Sequence, residues 1–104
     1  MFLNAGSEFN HTAGDFIIER QNGSATNASL RLDPDSYDFT GSTITIGGVS
    51  TPAGQNQIGI NATVPLNNLL ITGNNNLNAR TFINPLILNN LEVESNGTYS
   101  ANGL

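Results

Sequence analysis

Asp33-Pro34-Asp35-Ser36-Tyr37-Asp38 places three carboxylates within six residues. Clustered carboxylate oxygens are ligands for hard cations, and Ca²⁺ takes about six to eight of them in a complete shell. A full Ca²⁺ loop also needs a glycine at its tight turn and a bidentate glutamate further on, and neither stands at that spacing here. Asp33, Asp35 and Asp38 are therefore an incomplete Ca²⁺ candidate, in a segment better read as a solvated turn with Pro34 fixing φ. No other metal site and no cofactor is expected. Glu92 and Glu94 alternate along one run, so both face outward about 7 Å apart. Paired-carboxylate glycoside chemistry works at about 5 to 9.5 Å, but a flat strand face offers no cleft. Charge that blocks lateral sheet pairing is the expected role.

His11 is the sole histidine, and there is no cysteine. A nucleophile triad would depend on that one imidazole, yet His11 stands between Asn10 and Thr12, just ahead of Gly14, and reads as a turn residue. No P-loop, dinucleotide fingerprint, zinc spacing or nucleophile elbow occurs, so the chain reads as a non-enzyme. Asn-x-Ser/Thr sequons stand at Asn10, Asn22, Asn27, Asn61 and Asn96. With 17 Asn and 18 Ser plus Thr, chance alone gives about three, so five is no clear excess. Thr43 and Thr45 form one outward-facing pair, which is no Thr ladder. Tyr37 and Tyr99, with the segments 21–29 and 50–57, are the candidates for binding a glycan or receptor at the surface.

The composition narrows the partners. The net charge is -5, Lys is absent and only three Arg occur, which argues against nucleic acid and anionic membranes. No apolar run reaches the roughly 18 residues needed to span a bilayer. Met1-Phe2-Leu3 has neither the basic region nor the apolar core of a signal peptide. One unit of 104 residues is expected, long enough to bury a core.

The elements that must position these residues are strands. Asn, Gly, Thr and Ser interrupt every window long enough for a helix. Short aliphatic runs remain: 15–19, 43–46, 69–72, 82–83, 86–88 and 91–93. Leu66-Asn67-Asn68-Leu69-Leu70-Ile71 returns further on as Leu88-Asn89-Asn90-Leu91-Glu92-Val93. Starts at Phe16, Thr43, Leu69 and Leu91 recur at a spacing typical of solenoid repeats. A rung of three strands and three turns has that length. The two earlier intervals are the longer ones and contain 21–24 and 50–54, read as turns that bulge from the stack. Phe9 ahead of Gly14, Phe39 ahead of Gly41 and Tyr99 ahead of Gly103 mark corners in compatible phase. The pattern predicts an all-β chain, a right-handed parallel β-helix of about three to four rungs of 22 to 27 residues, since no rung buries its apolar face alone. Residues 1–41 are expected as irregular rungs and 42–104 as more regular ones. The Asn pairs 67–68 and 89–90 fall at one corner, where they either stack as amide ladders or occupy left-handed backbone positions.

The strings 66–71 and 91–103 resemble the degenerate repeats of very large secreted surface proteins of Bacteroidetes-type bacteria, similar in style to filamentous-haemagglutinin-like adhesins. The resemblance covers about residues 9–104. It implies a segment of a long extracellular stalk or adhesin scaffold at the cell surface. The departures are the irregular rungs before position 41 and the segment 30–35, which has no repeat partner. With no capping helix at either end, the sequence predicts head-to-tail self-association into filaments, or flanking rungs of the same protein in that place. The alternative function is a carbohydrate- or receptor-binding β-helix module of a tail-spike or adhesin-tip kind.

Overall fold

A computed structural model describes residues 1–23 and 27–102. Eleven short strands are joined by turns: β1 (Phe2–Leu3), β2 (Glu8–Asn10), β3 (Asp15–Ile18), β4 (Ala28–Leu32), β5 (Ser36–Asp38), β6 (Thr43–Ile46), β7 (Gln57–Ala62), β8 (Leu66–Ile71), β9 (Asn78–Thr81), β10 (Leu88–Val93) and β11 (Thr98–Ser100). They assemble as three sheets ordered β1-β4-β7-β9-β11, β10-β8-β6-β3 and β2-β5. Every pairing is parallel. The chain is a parallel β-solenoid of about four turns, as the repeat predicts.

The register differs from the sequence phasing by one residue. Phe16 pairs with Ile44 and Ile44 with Leu69, so Thr43 lies over Asp15 and Asn68 instead of starting the apolar column. A slip of one residue exchanges the faces of a strand, and the observed phase puts Ile44 and Ile46 inside, 2% and 0% exposed. The columns Phe16-Ile44-Leu69-Leu91 and Ile18-Ile46-Ile71-Val93 run the length of this sheet.

The first half of the segment 30–35 does pair with a neighbouring turn. Leu30, Arg31 and Leu32 pair with Ile60, Asn61 and Ala62, and Leu30 and Leu32 are fully buried. Among the described residues of 1–41, β1 to β5 are all paired, with a register irregularity between Ala28 and Leu30. They also hold the third side of the solenoid, which among the described residues only the first two turns possess: β2 pairs with β5, Phe9 over Tyr37. The third turn passes from Ala62 to Leu66 with no strand between, and the fourth passes through 82–87 without one. Loss of that side, more than the bulging turns, sets the rung length. Phe2 pairs with Arg31 and Arg31 with Asn61, whereas the later steps run only from Ile60 to Thr81 and from Ala79 to Tyr99. Phe82-Ile83 and Leu86-Ile87 are accordingly not strands, and Ile83 is 77% exposed at φ 68.

The core is the interior of the middle turns, built from Leu30, Leu32, Ile44, Ile46, Ile58, Ile60, Leu69, Ile71 and Leu77. Tyr99 lies over Ala79 in β9, in a different sheet from Phe9, and Phe39 directly follows β5, so Tyr99 does not share their corner. Gly103 lies outside the described residues. Gly14 and Gly41 do turn their corners with φ of 78° and 76°. The segments around 21 and 55 stack on each other, the Gln21 N–H donating to the Gln55 carbonyl at 3.3 Å.

Candidate functional site

The two Asn pairs stand one over the other. Asn89 Nδ2 donates to Asn67 Oδ1 at 2.9 Å, and Asn90 Nδ2 donates to Asn68 Oδ1 at 2.8 Å. None of the four has positive φ; that conformation belongs to Asn75, Asn76, Asn96 and Asn102. The ladder is thus the role of these pairs, and left-handed turns are the role of other asparagines. Leu66 and Leu69 are both buried, at 3% and 1%, although residues three apart in a straight strand face opposite ways. The chain therefore bends at Asn67-Asn68, which carries both amides to the outside of one corner within β8.

The first amide column has a direction. Asn67 Nδ2 donates to the Ser42 carbonyl at 3.1 Å. A carbonyl only accepts, so Asn67 must turn its own oxygen toward Asn89, and Asn89 in turn presents an oxygen at the top. Each exposed amide bond contributes about 0.5–1.5 kcal/mol net. A further pair, Asn84 Nδ2 to Asn61 Oδ1 at 3.0 Å, joins the fourth turn to the third.

Above this ladder the solenoid is open. Leu91 and Val93 continue the buried columns of Leu69 and Ile71, yet they are 46% and 41% exposed. β10 is the end strand of its sheet, so one row of its backbone groups has no ladder partner among the described residues. Glu92 and Glu94 are both exposed here, placing charge on the open edge.

Grooves flank the ladder. One, of about 230 Å³, lies against Tyr37, Phe39, Thr40, Pro65, Asn67 and Asn89. Another, of about 520 Å³, lies against Thr43, Asn68, Leu70, Asn90 and Glu92. Tyr37 is 43% exposed and stacks on Phe39, ring centroids 5.5 Å apart at 27°. Phe39 is 5% exposed and meets Phe9 edge-on at 5.4 Å. Tyr99 is half-buried. It packs against the core, and burial raises its hydroxyl pKa, opposed by a hydrogen bond with Thr81.

The three carboxylates of 33–38 are not brought together. Asp33 accepts from the Thr63 hydroxyl at 2.6 Å, and Asp38 accepts from the Thr40 N–H at 3.0 Å. That amide bond, and a second one from the Thr40 side chain, hold the Asp38 carboxyl below its usual range. Asp35 is exposed in the turn between. Among the described residues no group of three or more His, Asp or Glu could hold a metal ion. His11 packs its ring against Phe9 and Phe16, centroids 6.2 and 6.1 Å away. Thr45 is 6% exposed, so Thr43 and Thr45 do not form an outward face. Asn61 is buried and bonded to Asn84, which leaves no room for a glycan on it. Ser24 of the Asn22 sequon lies outside the described residues. Among the described residues no helix is long and apolar enough to cross a membrane.

Fold and site define a parallel β-solenoid with an amide-laddered corner. Compared with protein-family models, with curated proteins and with solved structures, the chain matches none. The likeness to large bacterial surface proteins rests on the strings 66–71 and 91–103 alone.

Proposed function

We propose that the chain is a structural segment of a secreted or cell-surface protein, a stalk or adhesin scaffold made of stacked turns and continued by a further turn over β10. The observation that carries this reading is the open end. Leu91 and Val93 occupy interior columns without cover, and the Asn89 and Asn90 amides stand ready to continue two ladders.

The chemistry of that end favours a turn bearing adjacent Asn residues over the chain's own first turn. Carried forward by the same register, the first turn would set Asp15 over Asn90 and Glu19 over Glu94. A carboxylate accepts only and cannot donate to an amide oxygen, and facing like charges repel. β2 would also find no third side to pair with. Phe16 over Leu91 and Ile18 over Val93 fit, so head-to-tail stacking of copies is the lesser form of the same idea. An extended solenoid with a flanking turn satisfies every column.

Immunolabelling of intact cells that make the protein, with negative-stain imaging of the purified protein, tests the reading. Label on the cell exterior and rods with a cross-section within the 25 to 34 Å extents of this segment are expected. Label confined to permeabilised cells, or globular particles alone, would sink it.

A further inference from the structure

The vanished third side leaves a ledge. Because the third turn cuts from Ala62 to Leu66, no strand among the described residues covers β5 on that side, and Tyr37 lines a groove there with Pro65 and Leu66. The ring is held in place from below: it stacks on buried Phe39, which Phe9 fixes edge-on. Facing the same groove are Asn67 and Asn89. Asn89 spends one N–H on Asn67, which leaves its second N–H and its carbonyl oxygen for another partner. No charged side chain lines the groove among the described residues.

From this geometry we propose that the groove binds one ring of a neutral sugar. The polarised C–H face of a pyranose docks on the electron-rich face of an aromatic ring, and its hydroxyls need groups that both donate and accept, as amides do. Tyr supplies this contact at low entropy cost because it has few rotors. A volume of about 230 Å³ is below the roughly 300–1,000 Å³ of drug-sized sites, which limits occupancy to a single ring. The absence of a lining cation disfavours acidic sugars and phosphates. The site meets the open end at Asn89, which lies on β10 and whose carbonyl oxygen the scaffold reading turns toward a further turn; the Tyr37 contact and the second Asn89 N–H do not depend on that reading.

The test is a ¹H–¹⁵N chemical-shift titration of the whole chain with glucose, galactose, mannose and N-acetylglucosamine, each to about 50 mM, well above the millimolar constants a one-ring contact supports. At least one sugar is expected to shift residues 37–40, 65–67 and 89. Tyr37→Ala should weaken binding at least about fivefold, while Tyr37→Phe, which keeps the ring, stays within about twofold. Asn89→Ser, exposed and outside the aromatic packing, should also weaken binding and covers the case in which Tyr37→Ala disturbs the fold. No shift with any of the four sugars, shifts confined to other residues, or constants unchanged in Asn89→Ser and Tyr37→Ala would overturn the proposal.

Discussion

Ile71 and Leu91 belong to adjacent interior columns of one sheet, and what separates them is the presence of a turn above. Ile71 is fully buried beneath β10, whereas Leu91 is 46% exposed. The same kind of truncation should therefore have unequal effects. Ile71→Ala removes packed atoms from a covered column and is expected to cost about 2–5 kcal/mol. Leu91→Ala, at a half-open position, should cost under about 1 kcal/mol. Urea unfolding of the two variants against the parent measures both, and equal losses would show that β10 is covered. At this scale the sequence was legible where a residue type has one physical use. The Asn pairs were foreseen as ladder or left-handed corner, and the hydrogen bonds assign them to the ladder. It was illegible where role depends on neighbours: Tyr37 and Tyr99 look alike in sequence, but Tyr37 stands 43% exposed beside a turn with no third strand, and Tyr99 lies over Ala79.

At the scale of elements, the apolar runs revealed one sheet of three. β3, β6, β8 and β10 carry Phe, Ile, Leu and Val, and their phase was found to within one residue. In the sheet of five strands, β4 and β7 bury Leu30, Leu32, Ile58 and Ile60, but only as alternate residues among Ser, Arg, Gly and Asn, and the rest of the sheet buries small or polar residues such as Ala62, Ala79 and Thr81, so β9 reads as Asn-Ala-Arg-Thr with no hydrophobic signal. β2 and β5 offer one aromatic each between polar neighbours, too little to register as strands. Turns join these sheets at close quarters, and one glycine shows how close. A Cβ at Gly73 would overlap the Ser95 carbonyl oxygen, although its φ of -93° suits any residue. Gly73→Ala should thus cost about 1–3 kcal/mol through steric conflict alone. Gly54→Ala meets nothing within 4 Å and should stay within about 0.5 kcal/mol. Thermal melts of the two variants distinguish a packed turn stack from loosely draped turns.

Across the whole molecule the solenoid changes character from one end to the other. It begins with long three-sided turns and finishes with two-sided turns about two-thirds as long. Its best-buried columns lie in the middle turns, and the last turn has apolar positions without cover. In a solenoid each turn is stabilised mainly by its neighbours, so a turn with one neighbour is the weakest part. The length of the repeat was visible in the sequence because Leu-Asn-Asn-Leu is retained in two turns. The loss of the third side was not, since a missing strand leaves no motif, only a shorter interval that resembles a tighter turn.

The most direct measurement extends that last turn. In a chain where residues 82–102 are repeated after Ala101, β11 leads into a second β10, which sets Leu over Leu91, Val over Val93 and an Asn pair over Asn89 and Asn90. Its melting temperature, compared with the parent, should rise by about 5 °C or more, and a version with Asp in place of both added Asn should regain less of that rise. A melting temperature unchanged or lowered by the added turn would contradict the stacking of turns through β10.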